Sequence, residues 1–275
     1  MLPSYLLSLR EGLEAALIIG IVLGALRQTR RGDLAPAVWA GTVSALIVCL
    51  AIAFGLNALG LSLEEPAEQI FEGITMLLAA GILTWMIFWM ARQSQQMKAD
   101  LETGVRQASR TGKRGLFFLA FIAVLREGVE LALFLTASVF ASDARQTLLG
   151  ALLGLGTAAL LGATLFATTV RLDLRRFFQV TGVLLILFAA GLVAHGVHEF
   201  NEIGWIPSII EHVWDLNPLL NESSTFGEVL KSLVGYNANP SLTETLAYAA
   251  YFGAVLLGLR AAGKRSAKEA AQANV

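Results

Sequence analysis

The chain carries one cysteine, three histidines and charged side chains at only 15% of its 275 positions. Each shortage excludes something. One thiol, Cys49 inside an apolar run, makes no intramolecular disulfide and no thiolate metal framework; it reads as a small packed side chain. Soluble domains carry about a quarter charged residues. With 56% hydrophobic residues and a mean hydropathy of +0.65, this composition is that of a membrane protein. There is no glycine–lysine nucleotide-binding loop, which argues against direct use of ATP. No basic leader precedes the first apolar run, and that run holds Arg10, Glu11 and Glu14. It is expected to be a retained transmembrane helix, not a cleaved signal.

What the chain has in abundance is long apolar segments. A spanning helix needs about 20 largely apolar residues. Seven segments qualify, at roughly 4–26, 37–59, 69–91, 115–139, 147–170, 178–199 and 244–262. Runs of this length in lipid mean helices. The expected class is therefore an all-α integral membrane protein with seven transmembrane helices. Its basic residues are sorted. Arg27, Arg30, Arg31, Arg92, Lys98, Arg106, Arg110, Lys113, Arg114, Arg171, Arg175, Arg176, Arg260, Lys264, Arg265 and Lys268 make 16 of the 20, all on one side. By the positive-inside rule that side is cytoplasmic, so the N-terminus is outside and the C-terminus inside. Trp39 and Trp89 fit as inner interface anchors, Trp205 and Trp214 as outer ones.

One motif occurs twice: Arg10-Glu11-Gly12-Leu13-Glu14 returns as Arg126-Glu127-Gly128-Val129-Glu130. The repeats run from about 4 to 91 and from about 115 to 199. Three helices per unit reverse the direction, so the two units are inverted, as is common in secondary transporters. A single permease domain over 1–275 then comprises both repeats, an acidic external cap at about 200–243, a seventh helix at about 244–262 and a solvated cytoplasmic tail at 263–275.

Ionisable groups inside hydrocarbon cost on the order of 2.5–3.5 kcal/mol each by insertion scales, which makes them functional by default. Within each motif the glutamates are three apart on one helical face, and the arginine is four before the second. Glycine between them permits close approach of another helix or an ion. If ionised, four glutamates against two arginines leave a charge of −2, which a divalent or trivalent cation would offset. Carboxylate oxygens suit hard cations. Glu11 lies roughly 22 Å from the inner end of its helix and Glu127 roughly 22 Å from the outer end of its own, at 1.5 Å per residue. Across a layer of about 30 Å the motifs should straddle the midplane as two sites in series. The first-helix pair would fill from outside and the fourth-helix pair discharge inward. The alternative without transport is a pair of salt bridges locking two helices together.

The chain resembles the high-affinity iron permeases, both the eukaryotic ferric permeases that work beside a multicopper oxidase and their bacterial relatives. The repeated Arg-Glu-Gly-x-Glu at 10–14 and 126–130 carries the resemblance. So do Glu72-Gly73 through Leu83-Thr84-Trp85-Met86 with Trp89-Met90, and His198-Glu199 followed by Gly204-Trp205-Ile206-Pro207. It covers nearly the whole chain. It implies that Glu11, Glu14, Glu127 and Glu130 bind iron in transit, with Arg10 and Arg126 as ion-pair partners. It also implies an external oxidase or peroxidase partner, an external metal-binding protein, a bacterial cytoplasmic membrane and no resident cofactor, iron being cargo. Ligand hardness alone does not separate iron from manganese or magnesium.

Secondary candidates lie at the outer surface. Glu64, Glu65, Glu68 and Glu72 could form a cation-collecting mouth, with Glu72 the deepest; the second repeat has Gln179 at its place. His195, His198, Glu199 and Glu202 fall close to one face at spacings of three and four, with His212 farther on. Of these, Glu72, His198 and Glu199 are expected as secondary metal positions. A carboxylate-bridged di-metal enzyme is the rival from another class, but such centres draw on Glu-x-x-His, and here the spacing is Glu-x-x-Glu.

Overall fold

A computed structural model describes residues 1–93, 112–167, 174–222 and 224–273. The basic residues Lys98, Arg106, Arg110 and Arg171 lie outside the described residues. Among those described, the regular structure is helical: α1 (Leu2–Gln28), α2 (Ala35–Ser62), α3 (Ala67–Gln93), α4 (Lys113–Ala141), α5 (Ala144–Ala167), α6 (Leu174–Glu202), α7 (Thr225–Val234) and α8 (Leu242–Ala273), with a 3₁₀ turn at Gly32–Leu34. Prolines open α1 and α2 from their first turns, where a missing N–H costs nothing. Ser224 caps α7 by accepting a bond from Gly227 N at 3.0 Å, and Gly235 closes it at φ 68°. A capping box starts α8: Glu244 N donates to Ser241 Oγ and Ser241 N to Glu244 Oε1, both at 3.2 Å.

α2, α3, α5, α6 and α8 are long and apolar enough to cross a membrane. The other two long helices, α1 with 27 residues and α4 with 29, hold the charged motifs. Large apolar side chains such as Leu50, Phe54, Leu160 and Val180 point outward, which suits lipid and not water. The segment after 263, expected as solvated tail, continues α8 without a break to Ala273. Its alanines, lysines and glutamate are good helix formers, and no proline or turn signal interrupts them.

The packing interleaves the two expected repeats. α1 lies chiefly against α5, α2 against α4, and α3 against α6. Glycines make the first two contacts close. Gly41 of α2 sits on the Phe117 carbonyl and beside Phe121 N; Gly150 of α5 sits on the Met1 carbonyl and beside Tyr5 N. A Cβ added at Gly12 would meet Ala158 Cβ at 2.7 Å, and one at Gly128 would collide with Cys49. These contacts are counterparts: Met1, Tyr5 and Gly12 each map 116 residues on, to Phe117, Phe121 and Gly128, while Gly41 and Cys49 map 109 on, to Gly150 and Ala158. α1 and α4 then cross antiparallel. Ser4 and Ser138 share a hydrogen bond at 3.1 Å near one end, and the two motifs meet at the crossing.

Candidate metal centre

The crossing of α1 and α4 buries Arg10, Glu11, Glu14 and Glu127, with Glu130 at its rim. One carboxylate oxygen each from Glu11, Glu14 and Glu127 lies within 4.8 Å of the others. No other group of three potential ligands is so arranged among the described residues. The sequence placed the motifs in two sites in series. The structure corrects that geometry and brings both into one cluster. Glu127 has 14 residues of α4 on either side, and Glu14 has 12 of α1 before it and 14 after. Both are therefore mid-helix, and antiparallel helices crossing at their middles superimpose the two motifs.

The arginines hold the cluster asymmetrically. Arg10 Nε donates to Glu14 Oε1 at 3.2 Å, and its guanidinium carbon is 6.0 Å from the Phe178 ring centroid. Arg126 Nη2 and Nε donate to Glu127 Oε1 at 2.6 and 3.0 Å, and its Nε is 3.9 Å from Glu130 Oε1. Both oxygens of Glu11, Oε2 of Glu127 and Oε2 of Glu130 have no hydrogen-bond partner among the described residues. Buried polar atoms are seldom left so, because desolvating them without a partner costs about 1–3 kcal/mol each.

A hard cation would answer that need. An ion about 2.1 Å from each oxygen keeps them within about 4.2 Å of one another, so small side-chain rotations close the present arrangement around it. A cavity of about 40 Å³ adjoins the cluster, lined by Glu14, Trp85, Met86, Trp89, Arg126, Glu127 and Glu130. That is room for a bare ion or a water. Trp89, expected as an interface anchor, instead lies against Arg126, whose guanidinium carbon is 5.4 Å from a Trp89 ring centroid. Its place in the cavity wall was legible only as Trp85 and Trp89 four apart, on one face of the helix that holds Glu72.

The secondary candidates stand apart from this cluster. Glu72 is half-buried within the field of Glu199, Glu68 and Glu202. His198 Nδ1 is 3.0 Å from Glu244 Oε1 and its Nε2 is 3.4 Å from Glu202. His195 Nδ1 faces the Gly191 carbonyl at 2.9 Å, and His212 is exposed. Sequence reasoning passed over Glu244. It is buried, accepts from Asn237 Nδ2 at 2.8 Å on its other oxygen, and ties α6 to the start of α8. The signal was present as Ser241-x-x-Glu244 ahead of an apolar run.

An all-helical bundle with carboxylates gathered where two charged helices cross is the build of a membrane carrier for hard cations. The comparisons agree. Residues 1–267 match the profile described as the iron permease FTR1 family. The ferrous iron permease EfeU of Escherichia coli O6:K15:H31 (strain 536) is 35% identical over 254 residues, covering 91% of this chain and 92% of its own. The ferrous iron permease EfeU of Yersinia pestis is also 35% identical, covering 91% and 90%. A relative from Escherichia coli K12 at the same identity is named a putative inactive ferrous iron permease. No solved structure matches. The chain belongs to the iron permease FTR1 family. It is an integral membrane transporter and not an enzyme.

Proposed function

We propose that this protein imports iron across the bacterial cytoplasmic membrane, holding the ion in transit between Glu11, Glu14, Glu127 and Glu130. The observation that carries the reading is the convergence of three carboxylates from both motifs within 4.8 Å, with unpartnered oxygens on two of them. The names of the relatives favour ferrous iron as cargo. In this reading α1 and α4 also span the bilayer, giving seven spans with the N-terminus outside. The matched glycine contacts between α1 and α5 and between α2 and α4 support an inverted repeat of three helices each. The segment from about 200 to 243 caps the outer surface, where an oxidase or peroxidase and a metal-binding protein would deliver iron. Glu72, His198 and Glu199 belong to that outer face as collecting positions.

With all four glutamates ionised, the two arginines leave −2 at the crossing, which a divalent ion neutralises. The arginines keep the empty cluster from full anionic repulsion, and an inside-negative potential draws the ion inward by about 2.3 kcal/mol per charge per 100 mV.

The test is uptake of radioactive ferrous iron into proteoliposomes under an inside-negative potential, for wild type, Glu14→Ala and Glu130→Ala. Loss in both variants, with folding intact, is expected. Wild-type uptake in both would reduce the motifs to helix-locking ion pairs. Equal displacement of iron by manganese would overturn the choice of cargo.

A further inference from the structure

Ser4, Ser8 and Glu11 lie on one face of α1, at spacings of four and three. Ser4 and Ser8 are both fully buried. Ser4 Oγ meets Ser138 Oγ of α4 at 3.1 Å. Beyond Ser138, Ser142 Oγ donates to the Ser138 carbonyl at 2.7 Å and lies 3.3 Å from Thr147 Oγ1, at the junction of α4 and α5. Ser8 Oγ and both Glu11 oxygens have no partner among the described residues. Gly154 makes the space for Ser8, since an added Cβ there would come within 2.8 Å of Ser8 Cβ.

The other half of the bundle treats the counterpart positions differently. By the 116- and 109-residue relations, Ser4, Ser8, Ser138, Ser142, Thr147 and Gly154 correspond to Ala120, Val124, Val22, Leu26, Val38 and Ala45. All six are buried members of one apolar cluster between α1, α2 and α4. One end of the crossing is therefore lined with hydroxyls where the opposite end is dry. Packing does not require this difference, because the same backbone contacts accept alanine and valine at the counterpart positions. Burying a hydroxyl without a partner costs free energy, so Ser8 needs an occupant.

We infer that Ser4, Ser8 and Ser138 line the route by which the cation reaches Glu11 from the end of the bundle where α1 begins. Ser8 offers a hard oxygen one helical turn before Glu11, an intermediate station between solvent and carboxylates. The Ser4–Ser138 contact closes the route in this conformation, so passage needs α1 and α4 to part at that end. The inference rests on the iron-permease reading.

Ser8→Val and Ser8→Thr are nearly isosteric and differ in the hydroxyl, so the pair separates chemistry from volume. In proteoliposomes, Ser8→Val should lower ferrous iron uptake at least tenfold while iron binding to the purified protein, measured by calorimetry, persists. Ser8→Thr should retain most uptake. In a Cys49→Ala background, Ser8→Cys should react with a small water-soluble thiol reagent at least tenfold faster than Val124→Cys, and iron should protect it. Wild-type uptake by Ser8→Val, or equal labelling of the two cysteine variants, overturns the route. If both Ser8 variants fail through added volume, the labelling ratio decides. Glu14→Ala in the same vesicles keeps the readings apart: its loss of uptake beside an unaffected Ser8→Val leaves the permease standing and the route refuted.

Discussion

Arg10 and Arg126 hold equivalent places in the two motifs and opposite exposures: the Arg10 side chain is 1% exposed and the Arg126 side chain 50%. Arg10 is enclosed with Glu14 and Phe178, whereas Arg126 opens on the cavity beside Trp89. One repeat has made its arginine part of the core and the other has kept its arginine half-exposed at the rim of the cluster.

The two should therefore differ on truncation. Arg10→Ala leaves Glu14 as an unpaired buried carboxylate and should cost roughly 3–5 kcal/mol. Arg126→Ala also leaves buried Glu127 without its partner, but the half-exposed Arg126 side chain gives up less packing, so it should cost less, about 3 kcal/mol. Thermal unfolding in one detergent, read for both variants, checks the order. A more stable Arg10→Ala would reverse the assignment.

Gly12 admits α5 to the motif. Gly12→Ala should destabilise the protein by about 1–3 kcal/mol through its clash with Ala158. Adding Ala158→Gly should return most of that loss, with a coupling energy of at least about 0.5 kcal/mol. Independent effects in the double variant would mean that the contact is not made.

Ser241 supplies the cap of α8. Ser241→Ala should cost about 1 kcal/mol of stability and leave iron uptake per folded molecule unchanged. A change in uptake at equal folding would show that the outer face acts on transport.

Cys49 Sγ is packed against Gly128, and the thiol is buried. In folded protein it should resist thiol reagents, and it should react once denaturant unfolds the bundle. Rapid labelling of the folded protein would contradict close packing of α2 on α4.

Helix positions were readable because each apolar run was long enough to leave one interpretation in lipid. The structured helices extend those segments by two to four residues at most ends. The motifs were readable because charge in such runs is expensive. Their meeting was not, because it depends on how far each helix extends and where two of them cross. Counting from assumed ends put Glu11 and Glu127 at different depths, while contact across the crossing puts them together. The roles of Trp89 and Glu244 were hidden for a related reason. An aromatic near a helix end and a carboxylate near a helix start each have an ordinary local explanation, and only the neighbours contributed by α4 and α6 distinguish these two.

The pairing of α1 with α5 bears on how the protein is made. Synthesis proceeds from the N-terminus, so α1, with Arg10, Glu11 and Glu14, emerges before the helix it packs on exists. Until residues 144–167 emerge, its glycine face has no cover, and until α4 emerges its glutamates lack the neighbours they meet at the crossing. Neither set of three helices is a folding unit that could be inserted first and left to wait. Assembly has to be a late event, completed when the fifth helix closes on the first.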